Sequence, residues 1–162
     1  MIEWIKVTSP IGDLYILSED EYLCGISWDQ SFFEKVENKK STSSPKKQIL
    51  LEAKRQLQEY FSGARESFEL PLSPRGTEFQ SKVWKQLQKI PYGKTKSYGE
   101  IAVKIKNPKA MRAVGMANRC NPIPIIIPCH RVIGSNGKLT GFAGGLDLKK
   151  KLLDFEAGLS QF

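Results

Sequence analysis

Hydrophobic positions along the first 28 residues fall in short runs separated by turn-forming residues. Apolar side chains dominate residues 2–7, 14–17 and 23–28, while residues 9–13 and 19–21 carry Ser, Pro, Gly, Asp and Glu. Short apolar runs bounded by such turn signals predict a meander of three β-strands. Cys24 lies inside the third run, where we expect a core residue.

The pattern becomes helical after a polar stretch. Residues 39–44, Lys-Lys-Ser-Thr-Ser-Ser, predict an exposed loop, and Pro45 predicts the start of a helix. Apolar residues then recur at helical spacing from Ile49 to Phe61, and Gly63 predicts the end of the helix. This stripe predicts packing against the meander. Residues 68–72 read as a short edge strand.

Two further helices begin with a capping-box pattern, in which a Ser or Thr is followed three residues later by Glu or Gln: Thr77 with Gln80, and Ser97 with Glu100. A third helix is predicted from Asn107 as N-cap and Pro108 at the first position to about Arg119. Two short helices joined by about three residues have the outline of a helix-turn-helix. Small residues in the second one, with Arg112 among them, would allow close approach to a duplex. An ordinary helical hairpin is the alternative.

The segment from Pro122 to Ile133 carries the strongest chemical signal. Three prolines interrupt an apolar run, which disfavours a helix and predicts an extended segment with a rigid end. Cys129 follows the last proline, and His130, the single histidine of the chain, comes next. A thiol beside an imidazole is a candidate nucleophile. A buried core cysteine is the alternative, because neighbouring side chains on a strand point to opposite faces.

The C-terminal residues predict a tight turn, a loop and a helix. Asn136-Gly137 is a strong turn signal, and residues 140–145 form a glycine-rich loop. The last helix is predicted over residues 146–157, with inward-facing apolar side chains at Leu148, Leu152, Leu153 and Phe155. Glu156 lies at its end, where a carboxylate opposes the helix dipole and requires a partner. His130 is the candidate for that partner.

Charge divides the chain into two parts. The 162 residues carry a net charge of +8, but residues 1–75 hold ten basic and twelve acidic residues, and residues 76–162 hold fifteen and five. Charge and element type both change near residue 75, so we predict an N-terminal α/β domain over 1–75 and a C-terminal domain over 76–162. The basic second half indicates a polyanionic partner, with nucleic acid first.

The cysteine and hydropathy patterns indicate which cellular compartment the protein occupies. The three cysteines are an odd, widely spaced set, which fits a reducing cytosolic compartment better than a disulfide framework. We expect no membrane span, no secretory signal and no structural zinc site.

Several motifs together resemble the O6-alkylguanine-DNA alkyltransferase family. They are Ile-Pro-Tyr-Gly at 90–93, Ser-Tyr-Gly-Glu-Ile-Ala at 97–102, Arg-Ala-Val-Gly at 112–115, Asn-Pro-Ile-Pro at 121–124, Pro-Cys-His-Arg-Val at 128–132 and Gly-Gly-Leu at 144–146. The resemblance covers most of residues 79–156. It implies an α/β (α+β) protein with a small ribonuclease H-like N-terminal domain. A mostly helical C-terminal domain with a winged-helix-like helix-turn-helix would follow.

The resemblance also implies a function. A member of this family binds duplex DNA through the minor groove and rotates the damaged guanine out of the stack. It moves the alkyl group from O6 irreversibly to its own cysteine, here Cys129, so that one molecule repairs one lesion. O4-alkylthymine is a further candidate substrate. The expected protein is a monomer without cofactor or metal, in the cytoplasm with the nucleoid or in a nucleus.

Site residues are carried over from the family by position. Cys129 would be the nucleophile, His130 the base acting through a water, and Glu156 its orienting partner; Asn121 would be a hinge. The carbonyls of Cys129 and Val132 would read the guanine amine, and the Ala143 amide would face O6. The expected substrate-binding residues are Tyr98, which also donates towards N3 of the base, Val132, Phe142, Ala143 and Gly144. The expected DNA-binding residues are Arg112 as the finger that fills the stack, Tyr98, Gly99, Asn107, Ala113, Gly115 and Ser135.

Three positions depart from relatives. Phe142 stands where Tyr is common, Ala143 replaces a Ser, and Gly99 is small where some relatives have a long amide. Zinc ligands found in the N-terminal domain of some relatives are absent. Two alternatives stay open: a lesion-binding protein without chemistry, against which Cys129 argues, and a Cys-His hydrolase, which would require a second histidine.

Overall fold

The computed structural model describes residues 1–29, 41–142 and 144–162. The chain divides into two compact units, one of Met1–Pro74 with Phe162 and the other of Arg75–Gln161.

The first unit is a four-stranded sheet with one helix. Its strands are β1 (Ile2–Ser9), β2 (Gly12–Glu19), β3 (Tyr22–Ser27) and β4 (Ser41–Ser43), in the order β3-β2-β1-β4. Antiparallel pairing of β1, β2 and β3 confirms the predicted meander. Helix α1 (Gln48–Phe61) buries the predicted stripe, including Leu50, Ala53 and Leu57, against this sheet.

Two boundaries in this unit were predicted wrongly. Helix α1 begins at Gln48, three residues after Pro45, because the intervening residues form a turn closed by the Lys47 N–H donating to the Ser44 carbonyl at 3.1 Å. Ser41–Ser43 is a strand paired parallel to β1. It is exposed, as the predicted loop would be, but its backbone is paired. Residues 39 and 40 of that prediction lie outside the described residues.

The second unit is mostly helical. Its elements are α2 (Glu78–Leu87), β5 (Lys96–Ser97), α3 (Tyr98–Lys104), α4 (Met111–Arg119), a 3₁₀ turn (Cys129–Arg131), β6 (Val132–Ile133) and α5 (Leu146–Glu156). Both predicted capping boxes are present, at the starts of α2 and α3. Strand β5 pairs in parallel with β6, which joins the start of α3 to the segment after Cys129.

Helix α4 starts one turn later than the prediction from Asn107 and Pro108. The Ala110 N–H donates to the Asn107 carbonyl at 3.0 Å, which closes a separate turn, and the first helical bond runs from Val114 to Ala110 at 2.8 Å. Lys106, at φ 62°, has already turned the backbone into the left-handed region. The connection between α3 and α4 is therefore six residues, 105–110, rather than three.

The buried face of α4 fixes its position within the unit. Val114, Ala117 and Asn118 point inward, and the Trp84 indole N–H of α2 donates to the Ala117 carbonyl at 2.8 Å. A buried Trp removes a large apolar area from water, and the hydrogen bond of its N–H fixes how the indole lies against α4. The opposite face of α4, including Arg112, is left exposed.

The proline-rich segment is folded back rather than extended. The Ile127 N–H donates to the Ile123 carbonyl at 2.9 Å, and Ile125 between them has a φ of 74°. That conformation is a genuine outlier for a β-branched residue, so the surrounding packing must hold it. Each proline restricts its own φ and the backbone conformation of the residue before it. Ile125 does not precede a proline, so the prolines do not prevent it from adopting this turn.

Helix α5 has the predicted extent but a different inward face. Leu152 and Phe155 are buried, while Leu148 and Leu153 are only half-buried. Lys149 is completely buried. The Asn136-Gly137 turn is present, with Gly137 at φ 80°. Among the residues that the structure describes, no helix has the length and apolarity needed to cross a membrane.

Candidate functional site

Cys129 opens the 3₁₀ turn and is almost fully enclosed, with 4% of its surface exposed. Burial raises the pKa of its thiol to about 11, although a hydrogen bond from Asn121, the charge of Lys149 and backbone N–H groups at the turn act in the opposite direction. The thiol is therefore protonated at neutral pH in the resting protein. A base must remove its proton before the sulfur can act as a nucleophile.

Asn121 closes the loop that leads to Cys129. Its Nδ2 donates to the Ile127 carbonyl at 2.8 Å, and its Oδ1 accepts from the Ile123 N–H at 3.0 Å. Both ends of the amide are used, and the side chain is buried. The residue therefore holds the backbone before Cys129 while also reaching the sulfur.

His130 lies completely buried against the end of α5. Its Nε2 is 2.6 Å from Oε2 of Glu156, which is the contact expected from the sequence. Burial lowers the pKa of the imidazole, while Glu156 acts to raise it. The ring is therefore neutral near pH 7. With Nε2–H directed at the carboxylate, Nδ1 is the basic nitrogen, and it has no hydrogen-bond partner among the described residues.

Arg131, to which the sequence analysis gave no role, completes the carboxylate's surroundings. Its Nε lies 2.7 Å from Oε1 of Glu156 and its Nη2 lies 3.1 Å from Oε2, while Nη1 donates to the Ile90 carbonyl at 2.7 Å. Burial raises the pKa of Glu156, but the hydrogen bonds from His130 and Arg131, the charge of Arg131 and, in acid, that of protonated His130 outweigh it and bring the pKa to about 2. Glu156 is thus a carboxylate at all ordinary pH values.

Lys149 is the functional candidate that sequence reasoning missed. Its Nζ donates to the Val132 carbonyl at 2.5 Å and to the Thr140 carbonyl at 2.8 Å. Burial lowers its pKa to about 8, and the nearby Cys129 sulfur opposes that shift. Helical spacing could have indicated its burial. Lys149 lies three residues before Leu152 and seven before Glu156, so all three share one face of the helix.

Tyr98, the first residue of α3, connects to the same network. Its hydroxyl donates to the Thr140 carbonyl at 2.9 Å and accepts from the Thr140 Oγ1 at 3.1 Å. Thr140 is therefore held by both Tyr98 and Lys149. The structure brings the phenol, the buried cation and the strand after Cys129 into one hydrogen-bonded group.

Of the other expected substrate-binding residues, Val132 joins this group through its carbonyl, which accepts from Lys149. Val132 and Phe142 are buried. Gly144 has no room for a side chain, because a Cβ there would lie 2.7 Å from Cδ2 of Leu148 and 2.9 Å from Cε1 of Phe142. Ala143 lies outside the described residues.

The exposed face of α4 borders a depression of about 360 Å³ lined by Tyr98, Arg112, Gly115, Arg119 and Thr140, among others. It brings together three of the expected DNA-binding residues. Gly99 lies just beside it, with the Met111 sulfur 3.6 Å from where its Cβ would be. Three others are exposed and are not among its lining: Asn107, Ala113 and Ser135. Over residues 1–29, 41–142 and 144–162, no cluster of three His, Cys, Asp or Glu side chains could hold a metal ion.

Together the fold and the site define a two-part α/β protein whose basic half combines a helix pair with a buried thiol and an imidazole–carboxylate pair. Residues 78–158 match the model of the 6-O-methylguanine DNA methyltransferase DNA-binding domain, and residues 2–74 match the ribonuclease-like domain of the same family. The chain belongs to the 6-O-methylguanine DNA methyltransferase family, as the sequence motifs predicted.

Individual relatives are similar over nearly their whole length. The methylated-DNA–protein-cysteine methyltransferase of Methanosarcina acetivorans is 50% identical over 153 residues, which are 91% of this chain and 94% of that protein. The constitutive enzyme of that name from Bacillus subtilis is 47% identical, over 91% of each chain. The crystal structure of Mycobacterium tuberculosis OGT in complex with DNA superposes with a TM-score of 0.88 at 43% identity, covering 98% of this chain and 95% of that one.

Proposed function

We propose that this protein repairs DNA by moving an alkyl group from O6 of guanine in a duplex to the sulfur of Cys129, once per molecule. The proposal rests chiefly on one observation: in a chain of this family, the buried Cys129 is followed by a neutral imidazole. Nε2 of that imidazole is hydrogen-bonded to Glu156, and its Nδ1 has no hydrogen-bond partner among the described residues. The protein would act as a monomer, in the reducing compartment that holds the DNA.

The sulfur is activated by proton removal. A water between Cys129 and Nδ1 of His130 carries the thiol proton to the imidazole, which becomes an imidazolium facing the Glu156 carboxylate. Asn121, the backbone N–H groups of the turn and the Lys149 charge then stabilise the thiolate. Stabilisation by groups already in place costs little reorganisation when charge develops.

The alkyl carbon then changes partners. A bond forms between Sγ and the carbon as the bond from that carbon to O6 breaks, and the electron pair remains on the guanine. Tyr98 supplies a proton to N3 of the base and becomes a phenolate, and the proton that His130 took from Cys129 then returns to the phenolate, so that both side chains end neutral. For this the Tyr98 hydroxyl must turn from the Thr140 carbonyl towards the base. The thioether product has no leaving group that a thiol could displace, so the reaction ends there.

Duplex DNA would be held by the exposed face of α4. Arg112 and Arg119 border the depression beside Tyr98, in the half of the chain with the basic excess. Extruding a base costs a few kcal/mol, which phosphate contacts and a side chain filling the gap must offset. Arg112, which is exposed, would fill it. Asn107 and Ser135, on exposed turns, would contact the backbone.

Mass spectrometry tests the proposal directly. Wild-type protein incubated with a duplex containing O6-methylguanine should gain the mass of one methylene unit, and peptide mapping should locate it on Cys129. Cys129→Ser should gain nothing. Cys120→Ser, which changes the exposed cysteine near the site, should behave as wild type. Repeated turnover of an ester or amide without a modified Cys129 would favour a hydrolase, and tight binding without modification would favour a lesion-binding protein.

A further inference from the structure

Thr140 holds the phenol of Tyr98 with both its backbone and its side chain. The Tyr98 hydroxyl donates to the Thr140 carbonyl at 2.9 Å, and its oxygen accepts from the Thr140 Oγ1 at 3.1 Å. Because a phenol has one proton, and here it goes to the carbonyl, the phenol oxygen can only accept from the threonine hydroxyl. Both residues line the depression beside α4. A single loop residue therefore fixes the oxygen that would give its proton to the base.

The two contacts differ in what happens to them when Tyr98 donates to a base. The O–H bond turns away from the Thr140 carbonyl by rotation about the bond between ring and oxygen, which moves the proton and leaves the oxygen in place. The carbonyl keeps a second donor, Nζ of Lys149 at 2.8 Å, so no acceptor loses its last partner. The contact from Oγ1 does not use the phenol proton and persists throughout the transfer.

We propose that Thr140 is a positioning residue whose hydroxyl stabilises the phenolate of Tyr98 during alkyl transfer. The inference rests on the proposed function and deepens it at the proton donor. As the O–H bond of Tyr98 breaks, the proton passes to N3 and the electron pair stays on the phenol oxygen, while Thr140 keeps its own proton. The hydrogen bond from Oγ1 then ends on a charged oxygen and becomes stronger. A contact that strengthens towards the transition state raises the rate of the chemical step.

The Thr140 carbonyl would otherwise work against this charge. It lies 2.9 Å from the phenol oxygen, and two oxygens that carry negative charge repel each other once the proton between them has left. The ammonium group of Lys149 is bonded to that carbonyl and lies 5.9 Å from the centre of the Tyr98 ring, so its charge offsets the repulsion. The Oγ1 donor supplies the attraction that the carbonyl cannot.

The experiment measures single-turnover methyl transfer to Cys129 from a saturating duplex that contains O6-methylguanine. Thr140→Val keeps the shape of the side chain and removes the hydroxyl, and it should lower the maximal rate about threefold to tenfold, since this partly exposed bond lies at or below the lower end for a charged oxygen. The dissociation constant for the duplex should not change. Thr140→Ser restores the hydroxyl and should recover most of the rate. Thr8→Val, an exposed position on β1, is the matched control and should behave as wild type.

Two further measurements separate support of the phenolate from a general role in loop structure. In a Tyr98→Phe background, which has no phenol oxygen, Thr140→Val should cause no additional loss. O6-methyl-3-deazaguanine carries C–H in place of N3 and cannot take the proton. Wild type and Thr140→Val should therefore react with it at equal rates, both more slowly than wild type reacts with O6-methylguanine.

Four results would overturn the role of Thr140: a wild-type or faster rate in Thr140→Val, equal losses in the valine and serine variants, the same loss in the Tyr98→Phe background, or the same loss on the 3-deaza base. The last measurement decides the question even if the Tyr98 variants are too slow to compare. If wild type transfers no methyl group from O6-methylguanine, the proposed function and this inference fail together. Transfer by wild type that is indifferent to the Thr140 hydroxyl removes this inference alone.

Discussion

Replacing Glu156 by glutamine removes one negative charge from the site and keeps the size of the side chain. In the folded protein that carboxylate holds Arg131 through two contacts, at 2.7 and 3.1 Å, and His130 at 2.6 Å, with 1% of its side chain exposed. Glutamine can accept a hydrogen bond but cannot neutralise the guanidinium. Arg131 would then be a buried charge without a counter-charge from this position.

The loss in free energy of unfolding can be worked out in two independent ways. Removing one partner of a buried ion pair costs about 3–5 kcal/mol. The folded pKa of Glu156 is about 2, against an ordinary value of 4.5, and that difference corresponds to about 3 kcal/mol of stability. Because the folded pKa is depressed, this stability is present above pH 4.5. It is lost as the pH falls towards 2. Glu156→Gln should therefore unfold about 3–4 kcal/mol more easily at pH 7.

The assay is urea unfolding followed by Trp84 fluorescence, in a background where Trp4 and Trp28 are phenylalanine. Trp84 lies in the same unit as Glu156, so the signal reports on that unit. Asp154→Asn is the matched control on the same helix, since its pair with Lys150 is largely exposed and should change stability by less than about 0.5 kcal/mol. A difference between wild type and Glu156→Gln below about 1 kcal/mol, or one that does not shrink below pH 4.5, would refute the reasoning.

Two further predictions concern the basic side chains Lys149 and Arg112. Lys149→Met should slow alkylation by free O6-benzylguanine about tenfold or more, because it removes the charge that lowers the pKa of the Cys129 thiol and the charged hydrogen bonds to the Val132 and Thr140 carbonyls, each worth about 1.5–3 kcal/mol. Unchanged rates in the folded variant would show that its charge does not reach Cys129. Arg112→Ala should weaken duplex binding and slow repair in DNA, yet leave reaction with free O6-benzylguanine largely intact. Equal losses in both assays would contradict the role of Arg112 as the group that fills the stack.

Local signals in the sequence predicted the helices better than the loops. The capping boxes at Thr77 and Ser97 need only four consecutive residues, and both helices start where they indicate. Asn107 and Pro108 form an equally plausible start, but the backbone there makes a single turn first. The difference arises because Lys106 enters the left-handed region, which no residue preference in that segment indicated.

The charged and polar interior could not be predicted in the same way. Lys149 and Arg131 can be buried because carbonyl and carboxylate oxygens accept hydrogen bonds from them. These acceptors lie up to 41 residues away in the sequence. Asn118 likewise depends on a carbonyl eleven residues away. The pairing of His130 with Glu156 was predictable only because the chain has a single histidine and an inward-facing acid at a helix end.

That solitary histidine makes the site unusually simple to observe. Its ring is completely buried, and no other imidazole in the 162 residues can overlap with its signals. A proton NMR titration therefore needs no assignment work to follow the ring through acid exposure, lesion binding or alkylation. One resonance would register each stage of a reaction that a molecule undergoes once.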